Sequence, residues 1–87
     1  MIKPITIYFT CLITLCTFHC HAQQGSEILI QANKASLERD YKKAFNLYTD
    51  YIQINPSDFR GYFNRGTSAY NAKNYASAIQ DFTKTLQ

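Results

Sequence analysis

The side chains best suited to chemistry crowd into one short run, His19-Cys20-His21, where imidazole and thiol alternate as they do around a bound metal. Nothing completes such a site. The other two cysteines, Cys11 and Cys16, precede it, and from residue 23 onward the chain has neither histidine nor cysteine. A tetrahedral centre needs a second cluster of ligands, and there is none to supply it. Nucleophilic chemistry finds no better footing, because no serine elbow and no glycine-rich phosphate loop is present. The carboxylates Glu38 and Asp40 flank a helix corner, where capping and hydration account for them. The reading is of a protein that is not an enzyme and takes no metal or cofactor.

Charge narrows the partners. Residues 23–87 carry eight basic side chains against six acidic ones, with the signs interspersed. No basic stripe of the kind that tracks a phosphate backbone results, so nucleic acid is not expected. Arg39, Lys42 and Lys43 cluster at one corner, which reads as a solvated turn.

Residues 1–22 have the anatomy of a secretory signal peptide: Lys3 near the start, an uncharged and mostly apolar run over 5–18, then small Cys20 and Ala22 ahead of polar Gln23-Gln24. Cleavage is expected after Ala22, giving an exported chain, periplasmic or secreted. The alternative is a membrane anchor over residues 5–22. The apolar run favours cleavage, since 14 residues of helix reach only about 21 Å across a hydrocarbon layer of about 30 Å. With every cysteine in the leader, no disulfide is expected in the remainder.

The elements that follow read as four helices. The first is expected from Ser26 to Glu38, with Ile28, Ala32 and Ala35 on one side. The second opens after Asp40, a capping residue, and sets Tyr41, Ala44, Tyr48 and Ile52 on one face. Asn55-Pro56 ends it, because proline cannot continue the hydrogen-bond ladder. The third, from about Asp58 to Ala72, turns Tyr62, Gly66 and Ala69 inward. The fourth begins after Asn74 and is expected to turn Tyr75, Ala78, Ile79, Phe82 and Leu86 inward. No stretch alternates with period two, and the short connections imply antiparallel neighbours.

The two halves repeat each other at an offset of 34 residues: Ala35 falls on Ala69, Tyr41 on Tyr75, Ala44 on Ala78 and Thr49 on Thr83. Ala32 with Gly66, Tyr48 with Phe82 and Ile52 with Leu86 keep the same offset. A period of this length marks stacked helical hairpins that bury their apolar stripes against one another.

These residues resemble the tetratricopeptide repeat, a helix-turn-helix unit of this length. The better copy spans 59–87, with Tyr62-Phe63-Asn64-Arg65-Gly66, Tyr70, Tyr75, Ala78-Ile79 and Asp81-Phe82; the weaker spans 25–58 and ends in Asn55-Pro56. The resemblance implies an all-α fold, a solenoid fragment of stacked hairpins behind an apolar signal helix, and a protein-binding role. The first helix of each unit would line a concave groove for a peptide or helix, through Ser26, Leu29, Asn33, Ser36 and Leu37, then Arg60, Phe63, Thr67, Tyr70 and Asn71. Among these, Phe63 and Tyr70 suit anchoring and Asn33, Arg60 and Asn71 suit hydrogen bonding. A clamp for a terminal carboxylate does not follow, because Leu29 stands where that subset of the family needs a lysine.

Two departures from the family pattern bear on packing. Tyr51 occupies a place usually given to a small residue, and Gly61 is expected to make room for it. The second copy stops inside its second helix, so the chain reads as a fragment of a longer protein, a module completed by a partner, or one that self-associates through its last helix.

Overall fold

The computed structural model describes residues 24–87. The signal segment and the His19-Cys20-His21 run lie outside the described residues. Four helices follow in order: α1 over residues 24–37, α2 over Tyr41–Ile54, α3 over Phe59–Asn71 and α4 over Tyr75–Thr85. Among the described residues there is no strand. The helices match the expected four to within a residue or two, as two antiparallel hairpins stacked side by side with α3 packed against both α2 and α4.

Each boundary has a local cause. The free backbone N–H groups that open a helix need acceptors. Asp40 Oδ1 accepts from the Lys43 N–H at 3.3 Å, Asp58 Oδ1 from Arg60 at 3.0 Å, and Asn74 Oδ1 from Ser77 at 3.4 Å. Both hairpins turn through the same C-terminal device. Asp40 N–H donates to Ala35 O at 2.9 Å and Asn74 N–H to Ala69 O at 2.8 Å, while Arg39 and Lys73 swing to φ of 63° and 64°. That six-to-one bond around a left-handed residue is the Schellman cap, whose left-handed position favours glycine. Here both positions hold a cation.

Packing follows the small residues. Ala32, Ala35, Ala44 and Tyr48 form the buried core between α1 and α2, flanked by Leu29 and Leu47. In the second hairpin a Cβ on Gly66 would lie 2.9 Å from the Phe82 ring and 3.0 Å from Asp81 Cβ, so α3 and α4 approach only because that atom is missing. Between hairpins, a Cβ on Gly61 would lie 3.1 Å from Tyr51 Cδ1, as the sequence anticipated, and closer still, 2.7 Å, to Ile52 Cγ1. Tyr51 is 4% exposed.

One expectation is corrected. Ala78 and Phe82 do turn toward α3, but Tyr75, Ile79 and Leu86 are 53%, 66% and 89% exposed rather than inward. Their offset partners on α2 are less exposed because α3 lies across them: Ile52 is 8% exposed, and Tyr41 and Phe45 are half-buried. No described helix lies across α4 in the same way, so the same face of the repeat is open there.

Candidate functional site

The groove residues divide into three environments. Leu29 on α1 and Arg60 on α3 line one recess of about 430 Å³ together with Ser26, Ile30, Tyr51, Asn55 and Asp58. Further along α3, Phe63 is 49% exposed while its ring rests tilted on Phe82, with centroids 5.9 Å apart. Thr67, half-buried, turns its hydroxyl to its own helix, donating to Phe63 O at 3.0 Å. At the far end Leu37, Tyr70 and Asn71 are exposed, and Tyr70 meets Tyr75 edge-on at 5.5 Å across the turn. Asn33 is exposed yet already engaged, since its Oδ1 accepts from the Tyr48 hydroxyl at 2.5 Å.

Arg60 is likewise committed. Its Nη2 donates to Asp58 Oδ2 at 2.7 Å and its Nε to Oδ1 at 3.1 Å, and the Tyr51 hydroxyl donates to the same carboxylate. The Arg60 guanidinium, helped by the Tyr51 hydroxyl and the Arg60 backbone, holds the Asp58 carboxyl well below the usual carboxylate range. Burial, then the Asp58 contact, pushes the Tyr51 hydroxyl above the ordinary tyrosine value. The wall of the recess is therefore a neutralised donor array beside Leu29 and Ile30, suited to peptide carbonyls and apolar side chains.

Sequence reasoning missed four members of this recess: Ile30, Tyr51, Asn55 and Asp58. The signal available was the rank of Tyr51 as an oversized side chain beside a helix cap two residues ahead of an arginine. It also left unread the pair that stiffens the platform. Arg65 donates from Nε and Nη2 to both Asp81 oxygens at 2.9 and 2.7 Å, and from Nη1 to Thr49 Oγ1 at 3.2 Å. Its guanidinium carbon lies 5.2 Å from the Phe45 ring centre and 5.7 Å from that of Tyr62. One side chain thus ties α2, α3 and α4. The hydrogen bond to Asp81 holds Arg65 more firmly protonated than usual.

Comparisons with known proteins agree with this geometry. The chain is 33% identical over 58 residues to the small glutamine-rich tetratricopeptide repeat-containing protein 2 of Saccharomyces cerevisiae, a match covering 67% of this chain and 17% of that protein. It is 29% identical over 65 residues to serine/threonine-protein phosphatase 5 of Homo sapiens and equally to that of Rattus norvegicus, covering 75% of this chain and 13% of each phosphatase. The chain therefore spans about one sixth or less of the length of these relatives. No known family profile matches it, and no solved structure does. The internal offset, the two stacked hairpins and the similarity to a tetratricopeptide protein place this chain in the tetratricopeptide-repeat family.

Proposed function

We propose that the chain is exported and that its concave face, through Leu29, Asn33, Leu37, Arg60, Phe63, Thr67, Tyr70 and Asn71, holds a peptide or helix of a partner protein. The observation that carries this reading is the recess shared by Leu29 of one hairpin and Arg60 of the next, continued along α3 by exposed Phe63. Apolar contact with Leu29 and Phe63 supplies affinity, and the Arg60–Asp58 array fixes the register of the bound backbone. The test is selection of peptides from a random library on the full chain, followed by amide chemical-shift mapping. Shifts at Leu29, Arg60 and Phe63 support the groove; shifts confined elsewhere reject it. Export is tested by N-terminal sequencing of the cellular product, which should begin at Gln23; a product retaining residues 1–22 in the membrane fraction supports the anchor instead.

A second reading is supported by the open side of α4. Tyr75, Ile79 and Leu86 form an apolar strip that a second copy of the chain could cover about a two-fold axis. Sedimentation equilibrium distinguishes the readings. A dimer abolished by Ile79→Glu favours assembly, and a monomer at all concentrations favours a groove acting alone.

A further inference from the structure

We propose a second docking surface, at the edge formed by the two hairpin turns, that takes an acidic peptide carrying one aromatic or leucine side chain. Four cations gather there: Arg39, Lys42, Lys43 and Lys73. All four are exposed, and among the described residues none forms an ion pair. Glu38 and Asp40 share the edge, with Asp40 turned to the Lys43 backbone as a helix cap. The edge therefore keeps an excess of positive charge.

Its placement is not that of an ordinary solvated turn. Arg39 and Lys73 occupy the left-handed positions of the two turns, at φ of 63° and 64°. Glycine fits such a position without the Cβ penalty, so a cation there is opposed by the local backbone in both hairpins. Steric preference alone accounts for neither residue, whereas a demand for charge at matching points of both turns accounts for both.

A recess of about 210 Å³ lies beside these cations, between the N-terminal half of α2 and the C-terminal end of α3. Tyr41, Phe45, Ala69 and Ala72 give it apolar walls, and Lys42 stands at its edge. Ala72 and Asn74, which flank Lys73, border it too, so both turns reach the same hole. An apolar cavity of about 150 Å³ can hold a benzene ring, so this one admits a phenyl or leucine side chain. Ser68 also lines it, and the Ser68 hydroxyl is buried with no hydrogen-bond partner. An apolar hole with the Lys42 ammonium at its edge, bordered by two turns that each carry a cation, matches an apolar side chain flanked by carboxylates. None of these lining residues belongs to the concave groove. Glu38 and Asp40 interrupt the positive field, which favours a peptide with spaced charges over the continuous polyanion of a nucleic acid.

The test uses the full chain and a fluorescein-labelled peptide of four glutamates around a central Phe-Leu pair, read by anisotropy. A twin peptide with glutamine for glutamate serves as control. The expected results are saturable binding of the glutamate peptide and at least about tenfold weaker binding of its twin. The double variant Arg39→Gly, Lys73→Gly should remain folded by circular dichroism and bind about fivefold or more weakly, as should Lys42→Glu. Ala72→Leu, which fills the recess, should lower affinity for this peptide but not for one with Ala-Ala at its centre. The groove variant Phe63→Ala should leave this binding unchanged, so failure of the groove reading and failure of this one remain distinct. Equal affinity for the twin, or full affinity in the Arg39→Gly, Lys73→Gly protein, overturns the proposal. So does binding to phosphatidylserine vesicles or to a DNA duplex without binding to the peptide.

Discussion

Arg65 on α3 clasps Asp81 on α4 through two parallel hydrogen bonds of 2.7 and 2.9 Å, with the aspartate side chain 5% exposed and the arginine 20%. The pair lies beside Gly66, where the two helices meet with no room for a Cβ between them. It sets the spacing of α3 against α4 and, through Thr49 and Phe45, of α3 against α2.

Removing one partner should therefore be far worse than removing both. Asp81→Ala strands a guanidinium and is expected to destabilise by about 3 kcal/mol, the low end for a buried pair because Arg65 keeps some water. Joint replacement by Arg65→Met and Asp81→Leu is expected to recover most of that loss. Urea melts of the single and the double variant check it. Equal destabilisation by the single and double changes would contradict the role given to the pair.

Gly61 should resist even the smallest side chain. Alanine there raises helix propensity by about 1 kcal/mol. It also sets a methyl 2.7 Å from Ile52 Cγ1 and 3.1 Å from the Tyr51 ring, neither a free-swinging chain end. Overpacking of this kind costs about 1–3 kcal/mol, so Gly61→Ala should be destabilising on balance by about 1 kcal/mol. Pairing it with Tyr51→Ala should shrink the increment, as a double-mutant cycle by thermal melting will show.

Asp58 gives a pH signature. Its folded-state carboxyl titrates well below the ordinary value because Arg60 and Tyr51 bind the ionised form. The stabilisation is therefore complete above the unfolded-state value of about 4 and is lost as pH falls further. Asp58→Ala also removes the α3 cap, an effect of about 1 kcal/mol at neutral pH. The gap between wild type and Asp58→Ala should be constant from pH 7 to 5 and narrow below 4. A gap that widens on acidification contradicts the assignment.

Most of the scaffold was legible because its signals are local or periodic. Asp40, Asp58 and Asn74 announce helix starts by their own hydrogen-bonding capacity, and the 34-residue offset aligns Ala44 with Ala78 without knowledge of packing. The inward expectation failed for Tyr75, Ile79 and Leu86 because periodicity identifies an apolar face but not whether anything covers it. Arg65–Asp81 and Tyr51–Asp58–Arg60 were missed for another reason. Pairing across helices depends on rotation about each axis, and a charge census counts such residues as surface. Of the groove, sequence gave the register of α1 and α3 but not that Asn33 and Arg60 already hold partners.

That engagement of Asn33 yields a prediction about the groove itself. Tyr48 is 2% exposed, and burial lifts its hydroxyl above the ordinary tyrosine value. Tyr48→Phe removes the donor that orients the Asn33 amide but leaves the ring packing in place. Because Asn33 is exposed and water replaces the lost bond, stability should fall by only about 0.5–1.5 kcal/mol. The Asn33 side-chain amide should then lose its single resolved pair of proton resonances. In the wild type the raised Tyr48 value means stability is present below pH 10 and lost as pH rises through the folded titration. Tyr48→Phe should lose less over the same range.

The two turn cations supply the last test, and it concerns stability rather than binding. A residue with a Cβ in the left-handed region costs about 1–2 kcal/mol there, while glycine adds about 0.5–1 kcal/mol of freedom to the unfolded chain. Arg39→Gly and Lys73→Gly should therefore each stabilise the fold by roughly 0.5 kcal/mol, additively, because they sit in separate turns. Their φ values differ by only one degree, so the two increments should also be nearly equal. Thermal melts of the single and double variants read this directly. A double variant that melts below wild type would mean that the cations hold the turns, and the charge argument for the edge would lose its steric half.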